Sequence, residues 1–180
     1  MNKLLVVVDM QNDFIDGVLG TKEAQAIVKP TAEFVKKFNG YVFTTIDGHD
    51  ETYLESVEGK HLPIKHCIKE TVGWEVNKDI ATAFSTRAGR TFEKSSFGCL
   101  AFSDPEWYCG DMYDEVILCG VCTDICVIAN AIIFKTALPN TEVTVLEDLC
   151  AGTTPEMHQK AMDVMKSLHI NIKKSTDYQE

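Results

Sequence analysis

Apolar residues recur along this chain with two periods, and the periods alternate. Leu4 to Val8 is an unbroken run of five apolar residues, three of them β-branched, as in a strand buried on both faces. Ala24 to Phe38 changes rhythm: Ile27, Thr31, Phe34, Val35 and Phe38 recur at helical spacing, and Gly40 closes the segment. Tyr41 to Ile46 reads as a second strand and Arg90 to Lys94 as a third. Glu115 to Cys119 is the fourth and leads into an apolar helix over Ile125 to Ala137. Glu142 to Glu147 is the fifth. Thr154 then caps a helix that starts at Pro155 and runs to Leu168, with Met157, Ala161, Val164, Met165 and Leu168 on one face. Ile170 to Ile172 is a short sixth strand. Residues 47–82 show no clear period and are expected to form a long loop with one short helix, a length that often marks function. Cys99 to Met112 is expected to be helical in part, with Pro105 in a first turn.

Strands alternating with helices predict βαβ units with right-handed crossovers. The expected fold is α/β, three-layer α/β/α, around a mostly parallel six-stranded sheet. The 180 residues hold no repeat, low-complexity tract or linker, so a single domain over residues 1–180 is expected. A formal charge of −10 speaks against nucleic acid or an anionic membrane surface as partner. No segment is apolar for long enough to span a bilayer, and the apolar run after Met1-Asn2-Lys3 is too short for a signal-peptide core. The seven cysteines, an odd number, are therefore read as reduced thiols in the cytoplasm.

In a parallel sheet all carboxyl ends face one edge, where open α/β folds bind ligands. Asp9 follows the first strand and is placed to take a proton from a nucleophile there; it is also a turn former beside Asn12 and Asp13. Asp47-Gly48-His49 follows the second strand, and His66 lies 17 residues after His49 in the run His61-Leu62-Pro63-Ile64-Lys65-His66-Cys67. Two imidazoles and a carboxylate suit Zn²⁺, Fe²⁺ or Mn²⁺ with positions open to water or substrate, and Cys67 is a soft alternative donor. Lys94 ends the third strand. Cys126 falls in the first turn of the helix after the fourth strand, where the helix N-terminus and the Lys94 charge are expected to lower the thiol pKa. Cys122 and Cys126 also form a C-x-x-x-C pair of the kind a redox or metal-binding protein uses, although Cys99 and Cys109 have the wrong spacing to complete a four-cysteine zinc site. No G-x-G-x-x-G after a strand and no G-x-x-x-x-G-K-[ST] is present, so nucleotide binding has no support.

Four motifs occur in order: Asp9-Met10-Gln11-Asn12-Asp13-Phe14, Asp47-x-His49, Phe92-x-Lys94-x-x-Phe97 and Gly120-Val121-Cys122-Thr123-Asp124-x-Cys126-Val127. From residue 4 to about 150 the chain resembles the isochorismatase-like cysteine hydrolases, and within them the nicotinamidases (pyrazinamidases). The resemblance implies a triad of Asp9, Lys94 and Cys126. It implies a cis Val121–Cys122 peptide that turns the backbone N–H groups of Cys122 and Cys126 toward an oxyanion. It implies a divalent metal, Zn²⁺ before Fe²⁺ or Mn²⁺, on Asp47, His49 and His66, meeting the substrate's ring nitrogen. It places Phe14 against the substrate ring, and it implies a homo-oligomer. The chain departs from the family pattern at Leu62-Pro63-Ile64-Lys65-His66, where no aromatic residue precedes the third metal ligand. His61 is read as a spare loop histidine rather than a fourth ligand.

The activity so implied is amide hydrolysis at a linear carbon–nitrogen bond: nicotinamide to nicotinate and ammonia, through a thioester on Cys126, in NAD salvage. Asp9 or the metal would activate the hydrolytic water. A cysteine nucleophile argues against the vinyl-ether hydrolysis of isochorismatase itself. Two other readings are a related amidase acting on a carbamoyl or ureido substrate, which needs no ring-binding metal, and a thiol redox or metal-binding protein using Cys122 and Cys126.

Overall fold

In the computed structural model, which describes residues 2–109 and 112–178, the six expected strands form one sheet. They are β1 (Lys3–Val8), β2 (Tyr41–Asp47), β3 (Gly89–Lys94), β4 (Glu115–Val121), β5 (Glu142–Ala151) and β6 (Asn171–Lys173). Their order is β3-β2-β1-β4-β5-β6 and every pairing is parallel. Leu4 to Val8 are essentially inaccessible, as the apolar run requires of a central strand.

Among the described residues seven helices accompany the sheet: α1 (Asn12–Ile15), α2 (Lys22–Lys37), α3 (Val57–His61), α4 (Lys78–Ser85), α5 (Pro105–Tyr108), α6 (Ile128–Ala137) and α7 (Pro155–Ser167). α2 packs on α4 and α6 packs on α7, giving the three layers. The caps follow the sequence: Thr21 Oγ1 accepts from Ala24 N at 3.0 Å and Thr154 Oγ1 from Met157 N at 3.1 Å. The chain runs from β1 out to β2 and β3, then crosses back to β4 on the other side of β1. That reversal opens a crevice at the carboxyl ends of β1 and β4. Gly120 lies at this seam with φ 118°, and a Cβ there would come within 2.1 Å of the Val8 carbonyl oxygen, so only glycine fits.

Four expected stretches differ in detail. β5 continues past Glu147 to Ala151, because a register shift against β4 between Leu118 and Gly120 carries the ladder across the polar pair Glu147-Asp148. The stretch 47–82 contains a 3₁₀ turn at Tyr53–Glu55 and two helices, α3 and the start of α4, rather than one. Of the stretch 99–112, Leu100–Ser103 is 3₁₀ and α5 is a single turn; residues 110 and 111 lie outside the described residues. The segment after β4 begins as a π turn, Thr123–Val127, and becomes α-helical only at Ile128.

Candidate active site

At the carboxyl end of β1 the backbone turns at Asp9 with φ 49°, a left-handed conformation that costs a non-glycine residue about 1–3 kcal/mol. Thr45 on β2 holds the turn: its carbonyl accepts from Asp9 N at 3.2 Å and its hydroxyl donates to Asp9 Oδ1 at 2.6 Å. The other carboxylate oxygen, Oδ2, lies 2.7 Å from Lys94 Nζ at the end of β3. Lys94 Nζ in turn donates to Cys126 Sγ at 3.6 Å and lies 3.5 Å from Asp47 Oδ1. Asp9 is fully buried and Lys94 and Cys126 are nearly so.

Burial sets the proton affinities here. It raises the Asp9 pKa above the usual carboxylate range, helped by the Asp47 charge and opposed by Lys94 and Thr45. Burial would lower the Lys94 pKa, but the charges of Asp9, Cys126 and Asp47 hold it above the ordinary lysine range. Burial also pushes the Cys126 thiol well above its ordinary value, and the Asp9 carboxylate outweighs the Lys94 ammonium. This corrects the expected low-pKa thiol: burial raises the proton affinity of both the Cys126 sulfur and the Asp9 carboxylate beside it.

The loop that presents Cys126 is pinned from several sides. Ile125 N and Val127 N both donate to Cys122 O at 3.1 Å, and the Val121–Cys122 peptide is cis. Asp124 accepts from Thr153 N at 2.8 Å and from its hydroxyl at 2.6 Å. Thr123 Oγ1 lies 2.8 Å from His158 Nδ1 on α7. Asn130 donates to Cys126 O and accepts from Cys99 N, both at 2.8 Å.

Asp47, His49 and His66 meet beside this trio, with one donor atom from each within 4.8 Å of the others. His49 Nε2 is 2.9 Å and His66 Nε2 3.5 Å from Asp47 Oδ2. His66 Nδ1–H donates to the Ile64 carbonyl at 2.9 Å, which leaves Nε2 as the lone-pair donor toward the cluster. The site favours positive charge. Burial opposes protonation of His66, yet its hydrogen bonds to Asp47 and Ile64, with the Asp47 and Glu58 charges, raise its pKa. Burial likewise opposes ionisation of Asp47, yet its bonds to the two histidines and the Lys94 charge hold its carboxyl well below the usual range. Two imidazoles and a depressed carboxylate fit a divalent cation. His61 is exposed at the cavity wall, outside this cluster, and Cys67 is buried outside it too.

Cys126, Asp47, His49 and His66 line one cavity of about 980 Å³, together with Phe14 and Cys122. The Phe14 ring, on α1, sits 5.5 Å from the His66 ring. Burial, with the Asp124 charge, pushes the Cys122 thiol up to about 12, which weighs against a redox role for it.

Several residues at the site went unread in the sequence. Thr45 orients the carboxylate. Gln11 is fully buried and pairs with both backbone groups of Asp47, donating to its carbonyl at 2.8 Å and accepting from its N–H at 2.7 Å. The Tyr53 ring packs 4.7 Å from His49 and 4.9 Å from His66. Glu58 Oε1, on α3, reaches 4.0 Å from His49 Nε2 and 3.9 Å from His66 Nε2. Asn130 had a readable signal, as a lone amide in an otherwise apolar helix; the others had none.

The isochorismatase domain family model matches residues 3–175. A Bacillus subtilis (strain 168) protein, "uncharacterized isochorismatase family protein PncA", is 33% identical over 145 residues, covering 73% of this chain and 78% of that one. Among solved structures, the pyrazinamidase/nicotinamidase of Streptococcus mutans UA159 is 29% identical with a TM-score of 0.83, covering 96% of this chain and all of that one. The pyrazinamidase of Pyrococcus horikoshii in complex with zinc is 26% identical with a TM-score of 0.80, covering 97% and 99%. The N-carbamoylsarcosine amidase of Thermoplasma acidophilum, 24% identical with a TM-score of 0.76 over the full length of both chains, shares the fold.

Proposed function

The chain belongs to the isochorismatase family of hydrolases, and from that premise we propose that it is a metal-assisted cysteine amidohydrolase that converts a small carboxamide, nicotinamide in the first instance, to the carboxylate and ammonia. One observation carries the reading. Lys94 Nζ lies 2.7 Å from Asp9 Oδ2 and 3.6 Å from Cys126 Sγ, and Cys126 lines a cavity that also presents Asp47, His49 and His66.

In this reading Asp9 takes the Cys126 proton as sulfur attacks the amide carbon, and Lys94 holds the charge of both partners. The backbone N–H groups of Cys122 and Cys126 receive the oxyanion; one such donor is worth on the order of a hundredfold in rate. Asp9 then gives its proton to the amide nitrogen, the carbon–nitrogen bond breaks, and ammonia leaves behind a thioester. Asp9 next accepts a proton from water as it attacks the thioester, and returns it to sulfur as the carboxylate departs. A divalent ion on Asp47, His49 and His66, Zn²⁺ before Fe²⁺ or Mn²⁺, would supply a Lewis-acid anchor for a ring nitrogen. Phe14 packs on the ring.

The same reading makes the chain a cytoplasmic enzyme of NAD salvage, with its seven cysteines unpaired. It also makes the protein a homo-oligomer. Ammonia release from nicotinamide, pyrazinamide and an N-carbamoyl amino acid, with and without chelator, tests the activity. Turnover of the two ring amides, lost on chelation, is expected; chelator-insensitive turnover of the carbamoyl compound alone would replace the substrate class. Cys126→Ala should abolish ammonia release with the fold intact, and near-normal release would remove the nucleophile.

A further inference from the structure

The cavity is much larger than the substrate its polar end recognises, and the proposed reaction leaves most of it unused. Its volume is about 980 Å³. At ~30 Å³ for each water-sized group, that is room for roughly thirty non-hydrogen atoms, against about nine in a pyridine carboxamide. Asp47, His49, His66 and Cys126 supply the reacting and metal-binding groups. Leu19, Ala24, Val57, Leu62, Phe97 and Ile125 are an apolar lining that the chemistry does not call on. Ala24 is buried and Leu19, Leu62 and Ile125 are half-buried, while Val57 and Phe97 are 73% and 47% exposed. Polar side chains such as Ser56, His61 and Ser96 share the lining, but its accessible surface is mostly apolar, so an apolar substituent gains by burial there.

We propose that the preferred substrate is a carboxamide that carries an alkyl or aryl group beyond the ring that bears the amide. The inference rests on the amidase reading and narrows its substrate. With the amide carbon at Cys126 and the ring nitrogen toward Asp47, His49 and His66, as that reading has it, the rest of the ring is left to meet the apolar lining. Leu62 is the position to test: it follows His61 in the run that leads to His66 and lines the cavity half-buried.

The test compares nicotinamide with nicotinamides bearing methyl, propyl or phenyl at ring positions 5 and 6, using the full chain with its divalent metal. Each buried methylene should raise kcat/KM about fourfold. The better propyl isomer should therefore exceed nicotinamide by at least about tenfold, mainly through KM. Leu62→Trp and, separately, the exposed Val57→Trp should lower the ratio of propyl to unsubstituted kcat/KM. Nicotinamide turnover without any gain from substituents would overturn this inference and leave the amidase standing. Absence of turnover with every carboxamide would instead sink the amidase, and calorimetry with the corresponding nicotinates would still read the cavity. Binding of the propyl acid at least tenfold tighter than nicotinate is expected there, and equal affinity overturns the proposal.

Discussion

Two buried carboxylates in this molecule are each met by a threonine hydroxyl and a lysine ammonium, at opposite ends of the sheet. Asp9, after β1, receives Thr45 at 2.6 Å and Lys94 at 2.7 Å. Glu115, the first residue of β4, receives Thr144 at 2.7 Å, Lys173 at 3.3 Å and the Tyr178 hydroxyl as well. Burial pushes both pKa values up, but the outcomes are opposite. Asp9 ends above the usual range, because its complete enclosure and the Asp47 charge outweigh Lys94 and Thr45. Glu115 ends below it, because the Tyr178 and Thr144 hydrogen bonds and the Lys173 charge win. The lysines differ too: the Lys94 side chain is 3% exposed and that of Lys173 40%. A carboxylate saturated with donors and wetted through its cation is a clamp. One enclosed with fewer donors and a thiol at hand keeps its appetite for protons.

Substitutions at matched positions should separate the two ends. Asp9→Asn keeps the shape and removes the proposed base, so kcat should fall about 10³-fold, while circular dichroism shows a folded sheet; Glu115→Gln should leave kcat within about twofold. Equal losses from the two would end the contrast. A smaller effect is expected at Thr45. Asp9 must be ionised to accept a proton, and its raised pKa places the acid limb of kcat/KM above the ordinary carboxylate value of ~3.9. The Thr45 hydroxyl lowers that pKa, so Thr45→Val should move the limb further up and cost about tenfold in kcat; Thr144→Val should leave the limb in place. The smallest change falls on stability. Glu115→Gln weakens charge-assisted hydrogen bonds worth about 2 kcal/mol, a fall in Tm of roughly 5 °C at this chain length. Its folded pKa is depressed, so the stability it adds is present above the unfolded value of ~4.3 and is lost as pH falls through the lower folded value. The glutamine variant should therefore show a shallower loss of Tm below about pH 4, and an unchanged acid profile would count against the clamp.

The strands were legible because the central ones are apolar throughout, as Leu4 to Val8 shows. α4 was not, since eight residues with only Ile80 and Ala83 fully buried make a weak period amid polar loop. β5 was cut short at Glu147 because its polar pair sits where the ladder changes register. At the site, sequence order gave each chemical group a strand end, and a shared sheet edge brings strand ends together. Thr45 and Gln11 stayed hidden because each sits inside a segment whose pattern is already explained, and their work depends on pairing across strands. Glu58 stayed hidden because one turn of helix in an aperiodic stretch announces nothing. The thiol pKa was misread because helix dipole and lysine charge can be inferred from order along the chain, whereas depth of burial cannot.

The acid hangs from the innermost neighbour of β4, the cation from the outermost strand of the same half, and the thiol from beyond the seam, so the proposed centre needs residues 9 to 126 in register. Neither half of the sheet holds a functional remnant. Hydrolysis is then a gauge of assembly: on titration with urea it should vanish together with the last native structure, and on refolding it should return only when the strand that closes the seam has docked.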